Sequence, residues 1–171
     1  MSIMLKNVRL SFPSLWQTEK FGSEDTGKYA ATFILNKEQH KTEIDKLKKL
    51  IAEGVKSELK VPNLPPEKIC LKDGDNTERP EYQGAYIIKA STKKRPTVID
   101  RDKTPLAEDD GKPYAGCYVN CIIDLWYQDN KFGKRINANL HGVQFAADGE
   151  SFADATDVAD EFEAIEEEEM F

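Results

Sequence analysis

Residues 117–145, CYVNCIIDLWYQDNKFGKRINANLHGVQF, decide the fold. Val119, Cys121, Ile123, Leu125 and Tyr127 alternate with Tyr118, Asn120, Ile122, Asp124 and Trp126. Beyond a polar stretch, Ile136, Ala138 and Leu140 alternate with Arg135, Asn137, Asn139 and His141. Such a period of two is what a strand shows when one face meets a core and the other meets water. The two runs predict long strands joined at residues 128–133, where Asp129, Asn130 and Gly133 supply turn chemistry.

Working outward from this hairpin, residues 5–12 (LKNVRLSF) carry Leu5, Val8, Leu10 and Phe12 as apolar members and stop at Pro13, a first strand. Residues 28–35 (KYAATFIL) place Tyr29, Ala31, Phe33 and Leu35 on one face and Lys28, Ala30 and Thr32 on the other, a half-buried second strand. Asn36 with Gln39 forms a capping pair, and Ile44, Leu47, Leu50, Ile51 and Val55 recur at helical spacing. One amphipathic helix is therefore expected from residue 37 to the mid-fifties, stopped by the three prolines of residues 61–66. A third strand over residues 85–91 sets Tyr86, Ile88 and Ala90 against Ile87, Lys89 and Ser91, and a short extended piece follows at 97–100. Five strands with the helix between the second and third favour an antiparallel barrel or compact sandwich over a doubly wound parallel sheet.

The 171 residues carry 24 Lys and Arg against 31 Asp and Glu, a net charge of −7. The excess is confined to one end. Residues 148–171 hold 11 of the acids and no Lys or Arg, which leaves residues 1–147 with 24 basic against 20 acidic side chains, a net of +4. A mildly basic body of residues 1–147 and an acidic tail of residues 148–171 are the expected organisation, and the body is the part that would meet a polyanion. No apolar run approaches the roughly 18 residues of a membrane span, and the N-terminal MSIMLKNVRL lacks a secretory h-region, so a cytoplasmic protein is expected. Cys70, Cys117 and Cys121 are too few for a disulfide scaffold and read as reduced packing thiols.

Catalysis needs a converging set of groups that this chain supplies poorly. Cys70, Cys117, Cys121 and His141 contain no C-x-x-C knuckle for zinc. Asp73-Gly74-Asp75-Asn76 fails as a calcium loop, since Glu78 stands where glycine is needed and Gly84 where a bidentate acid is needed. Asp100, Asp102 and Asp124 have no diagnostic nuclease spacing. Neither a catalytic residue nor a metal or cofactor is assigned.

Aromatic residues interleaved with cations form the other constellation. Tyr82, Tyr86, Lys89, Lys93, Lys94, Arg95 and Arg101 make one group, and Trp126, Lys131, Phe132, Lys134 and Arg135 another. Single-stranded nucleic acid calls for this pairing, because rings stack on bases of any sequence while Lys and Arg track phosphates. Tyr82, Tyr86, Trp126 and Phe132 are the candidate stacking rings and the cations the candidate phosphate contacts. Tyr86 and Tyr127 alternate with apolar neighbours and are equally readable as core. In the tail, four successive acids at the end of a segment carrying Val158, Phe162 and Ile165 repel one another, so disorder is expected. Glu166, Glu167, Glu168, Glu169, Met170 and Phe171 read as a polyanion with a terminal aromatic, suited to competing with nucleic acid and to docking on partner proteins. A protein-interaction adaptor acting through this tail, with incidental DNA contact, is the alternative.

The body resembles a bacteriophage family of single-stranded DNA-binding proteins, long catalogued as a domain of unknown function. The likeness is carried by NVRLSFPSLW, KYAATFIL, LKDGDNTERPEYQGAYIIKAS, PTVIDRD, PYAGCYVNCIIDLWYQDNKFGKRINANLHGVQF and DGESF, with DGD, PEYxG and YxGCYV the more specific elements. It implies a five-stranded oligonucleotide-binding barrel, binding of single-stranded DNA without sequence preference, no catalysis, and a role in phage replication or recombination. The tail is similar in plan to acidic, phenylalanine-ended tails that recruit replication or recombination proteins. The chain departs from the family at residues 132–136, where members are often glycine-rich and uncharged.

Overall fold

The computed structural model describes residues 2–152. Among these, nine strands and one α-helix follow in the order β1 (Ile3–Ser14), β2 (Lys20–Phe21), β3 (Glu24–Asp25), β4 (Tyr29–Asn36), α1 (Lys41–Ser57), β5 (Leu71–Asp73), β6 (Ala85–Thr92), β7 (Thr97–Ile99), β8 (Tyr118–Asn130) and β9 (Gly133–Ala147). The five predicted strands close on themselves. β1 pairs antiparallel with β4 and β8, β4 with β6, and β8 with β9, while β6 runs parallel to β9 at Ala90↔Ala138. Closure leaves no long edge among the five, and β5 and β7 add to the outer margins of β6 and β9. This is the oligonucleotide-binding arrangement, with the helix between the second and third barrel strands.

The inward sets of the alternating strands make the core. Leu5, Val8, Leu10, Phe33, Ile88, Val119, Ile123 and Ile136 are buried, each aliphatic contributing about 1.5–3 kcal/mol by leaving water. The helix adds Ile44, Leu47, Ile51 and Val55 to the same cluster. It comes so close that a Cβ on Gly54 would lie 2.1 Å from the Tyr127 ring. Tyr127, whose hydroxyl donates to the Leu50 carbonyl at 3.3 Å, is thus a helix-packing residue.

Four features differ from expectation. The β8–β9 ladder continues to Asn130↔Gly133, so the connection is only Lys131 and Phe132, and Lys134 and Arg135 lie on a strand. The polar QDNKFGKR reads as a loop because the hairpin tip outruns the core: Gln128 is still buried, but residues 129–132 are exposed on both faces. The helix starts after His40: Asn36 Oδ1 does accept from the Gln39 and Glu38 amides, but it closes a turn one step before α1. β4 is covered on both faces, with Ile34 packed beside Tyr82 and Ala85 outside the barrel. Lastly, residues 148–152 are held to the body by the Phe152 amide on the Ala115 carbonyl (3.0 Å) and by Arg9, which donates to the Glu150 carbonyl (2.7 Å). The Arg9 guanidinium also lies 4.2 Å from the Phe152 ring centroid. Gly116, at φ +107°, allows this crossing, since a Cβ there would sit 2.1 Å from the Glu150 carbonyl oxygen. The tail residues read above as disordered and partner-binding, Glu166 to Phe171 included, lie outside the described residues.

Candidate nucleic-acid interface

The outward set of the β8–β9 hairpin supplies one wall of a long groove. Trp126 faces Asn137 across the ladder and is 45% exposed, far more than an indole retained for packing. Around it a hollow is lined by Lys28, Lys93, Gln128, Arg135 and Asn139. Asn137 donates to Gln128 Oε1 at 3.0 Å, and Arg135 donates to the Glu67 carbonyl at 3.2 Å, so the floor is held in place.

A second hollow continues from the first across the parallel β6–β9 seam, sharing Ser91, Arg135, Asn137 and Ala138 with it. Lys68, Lys72, Ile87 and Lys89 line this part. Together the two hollows present six cations, Lys28, Lys68, Lys72, Lys89, Lys93 and Arg135, against the acid Glu67. Lys89 is bridged to the mostly buried Glu19 at 2.9 Å. The Cys70 thiol lies in the second hollow, and burial pushes its pKa up to about 11, so it is no nucleophile at neutral pH.

The surface is therefore a solvated trough, polar along its floor, with one exposed indole and cations spaced along both sides. Such a trough accepts an extended polyanion carrying flat rings. Acids are not gathered for metal chemistry. Asp100 pairs with Lys112 at 3.0 Å and Asp124 with His141 at 3.1 Å, and among the described residues no group of three or more His, Cys, Asp or Glu is placed to hold a metal ion.

The profile of a protein family described as Enterobacter phage Enc34, ssDNA-binding protein, matches residues 1–171. The chain belongs to this family. It is 38% identical to putative protein p50 of Acyrthosiphon pisum secondary endosymbiont phage 1, over 99% of this chain and 98% of that one. Two solved structures of the bacteriophage Enc34 single-stranded DNA-binding protein are similar. One is its complex with single-stranded DNA, with 34% identity, 89% of each chain covered and a TM-score of 0.74. The other is a C-terminal truncation, with 32% identity, 88% of each chain covered and a TM-score of 0.76.

In this member of the Enc34 family, the candidate residues fall into three groups. Trp126, Lys89, Lys93 and Arg135 are brought together in the groove. Lys94 and Arg95 project from the β6–β7 turn beside it, Arg95 donating to the Trp16 carbonyl at 3.1 Å, and Lys131 and Phe132 form the hairpin tip, Phe132 77% exposed. Of the remaining four, Tyr82 lines the second hollow and the other three are placed elsewhere. Tyr82 is only 4% exposed, its hydroxyl 2.9 Å from Ser11 Oγ, so it packs the outer face of β4 and offers no free ring; burial also pushes its pKa up. Tyr86 has the opposite parity from Lys89 on β6 and lies beneath the Lys37 and Lys48 ammonium groups, 5.2 and 4.3 Å from its centroid, on the helix side. Lys134 donates to the Leu59 carbonyl at 2.6 Å, just past the end of α1. Arg101 follows β7 and is tied to the Ala146 carbonyl.

Sequence reading missed Lys28, Lys68 and Lys72 as groove cations. Lys28 carried a signal, since it shares the polar face of its strand with Thr32. Lys72 becomes a neighbour only through the pairing Lys72↔Ile87. The DGD motif is structural: Lys37 is bridged to Asp73 at 2.9 Å and Asp75 at 2.6 Å, and Asp75 also accepts the Gly84 amide at 2.7 Å. These bonds hold both carboxyls below the ordinary value of 3.8, the Lys37 bond leading for Asp73 and the Gly84 amide for Asp75.

Proposed function

We propose that this chain binds single-stranded DNA without sequence preference in the groove described above, Trp126 stacking on a base while Lys93, Arg135 and their neighbours meet phosphates. The observation that carries this reading is the exposed indole set among cations on the outer wall of a closed barrel. Kinship with the Enc34 family, one of whose members has been solved with single-stranded DNA, supports it. Binding, not catalysis, is the activity, and it serves phage replication or recombination in the host cell cytoplasm. The acidic residues beyond Phe152 compete weakly with DNA for the groove and recruit replication or recombination proteins through Glu166, Glu167, Glu168, Glu169, Met170 and Phe171.

The test is a titration of intrinsic tryptophan fluorescence with an unstructured single strand and with duplex over a salt series. Quenching by the single strand that persists at high salt, and is lost in Trp126→Phe, is the expected result. A merely basic surface would prefer the denser charge of duplex and release both ligands as salt rises. A chain ending at Phe152 should bind more tightly at low salt, and unchanged affinity removes the competition reading.

A further inference from the structure

Alternation places Phe12 among the apolar members of the first strand, and the structure turns it out. Leu10 and Ser11 are both buried, so the alternation slips, and the β1–β4 register shifts between Ser11 and Ser14. At this bulge Phe12 has φ +46° and is 50% exposed. A bulky side chain in the left-handed region is strained, and such strain is characteristic of sites where a ligand is held. The bulge is fixed from beneath by the Ser11–Tyr82 hydrogen bond.

The ring is not bare on both sides. The Arg79 guanidinium carbon lies 4.3 Å from its centroid, and among the described residues its acidic partner is Glu81, at a long 3.6 Å. A guanidinium stacked on a ring keeps its in-plane N–H donors directed outward, where a phosphate meets them. Phe12 and Arg79 line a third hollow with Lys20, which shares Thr32 and Lys89 with the middle of the groove. The path thus runs from β1 over β4, β6 and β9 to Trp126 on β8. Four inter-strand steps of roughly 4.8 Å give an arc of about 19 Å along the barrel wall.

We infer that Phe12 and Arg79 form a second nucleotide subsite, in which the Phe12 ring stacks on a base and Arg79 holds the adjoining phosphate, at the opposite end of the groove from Trp126. This rests on the reading that the groove takes a single strand of DNA. It explains why a phenylalanine stands at a backbone position where glycine would be unstrained.

The experiment measures affinity for an oligothymidylate long enough to span the arc, at low and high salt, for the wild type, Phe12→Gly, Arg79→Ala and Trp126→Ala, with thermal unfolding of each. Phe12→Gly should lose affinity on the order of tenfold at high salt while its unfolding temperature stays level or rises. Arg79→Ala should make the salt dependence shallower. Wild-type affinity in Phe12→Gly and Arg79→Ala, alongside loss in Trp126→Ala, overturns the second subsite and leaves the groove standing. Absence of binding by the wild type overturns the groove and the subsite with it.

Discussion

Tyr86 and Trp126 each sit among lysines on a barrel strand, yet they face different worlds. Tyr86 is half-buried against the core and covered by Lys37 and Lys48, and Lys37 is itself held by Asp73 and Asp75. Trp126 is exposed, and Lys93 and Arg135 line the hollow beside it without covering the ring. An aromatic next to a cation is therefore no sign of a binding site by itself. What distinguishes the groove is a ring face left open and cations facing solvent along a continuous trough, whereas on the helix side the same chemistry is already satisfied within the fold.

The contrast breaks most visibly if groove charge is reversed. Lys93→Glu with Arg135→Glu removes two charged contacts at ~1.5–3 kcal/mol each, so single-strand affinity should fall by about 3 kcal/mol or more at low salt, measured by fluorescence titration. Reversing Lys46 and Lys49 on the exposed face of α1 should leave affinity nearly unchanged. Next in size, Trp126→Ala should lose roughly 1–3 kcal/mol of binding that survives high salt, with little change in unfolding temperature. Tyr86→Ala should do the reverse, retaining affinity while losing roughly 0.5–3 kcal/mol of stability by denaturant titration. If Tyr86→Ala weakens DNA as much as Trp126→Ala at equal foldedness, the distinction between the two faces fails.

A third test sharpens the structural role of the helix side. Gly54→Ala gains up to about 1 kcal/mol of helix propensity but drives a methyl into the Tyr127 ring, an overpacking that costs about 1–3 kcal/mol, so chemical denaturation should show a net loss. DNA affinity of the folded variant should stay at the wild-type level. The smallest effect is acid sensitivity at the Lys37 cluster. Asp73 and Asp75 have folded pKa values below 3.8, so their contribution is whole above that value and is lost as pH falls through the lower folded values. Lys37 is raised above its ordinary 10.5, so its contribution is whole below that value and is lost only as pH rises through the higher folded value. The stability difference between wild type and Asp75→Asn should be flat from about pH 5 to pH 9 and shrink below pH 4. A difference that changes near neutrality instead would mean another group holds this turn.

Much of this was legible because the signals are local and periodic. Val119 to Tyr127 and Ile136 to Leu140 each show one face to a core, and a period of two survives any choice of partner strand. Ile44, Leu47, Ile51 and Val55 mark their helix in the same way. Interleaved rings and cations were legible as composition, and two residues that line the hollows, Trp126 and Arg135, were among them. Where sequence failed, a fact about neighbours was needed. Tyr82 looked like a stacking ring until Ser11 and the outer face of β4 covered it. Lys134 and Arg135 looked alike until a two-residue turn put them on successive positions of one strand, hence on opposite faces.

By itself, then, the sequence determined the five strands, the helix, their order, and the confinement of the net negative charge to the last 24 residues, because alternation, helical spacing and charge are properties of consecutive residues. Only the tertiary structure decided which outward faces become a groove. Lys28, Lys72, Lys93, Arg135 and Trp126 come from β5, β8, β9 and the ends of β4 and β6, and closing the barrel through the parallel β6–β9 seam is what brings them side by side. The bulge that turns Phe12 outward is of the same kind: it goes with the pairing of β1 with β4 and the hydrogen bond between Ser11 and Tyr82, 71 residues apart in the chain.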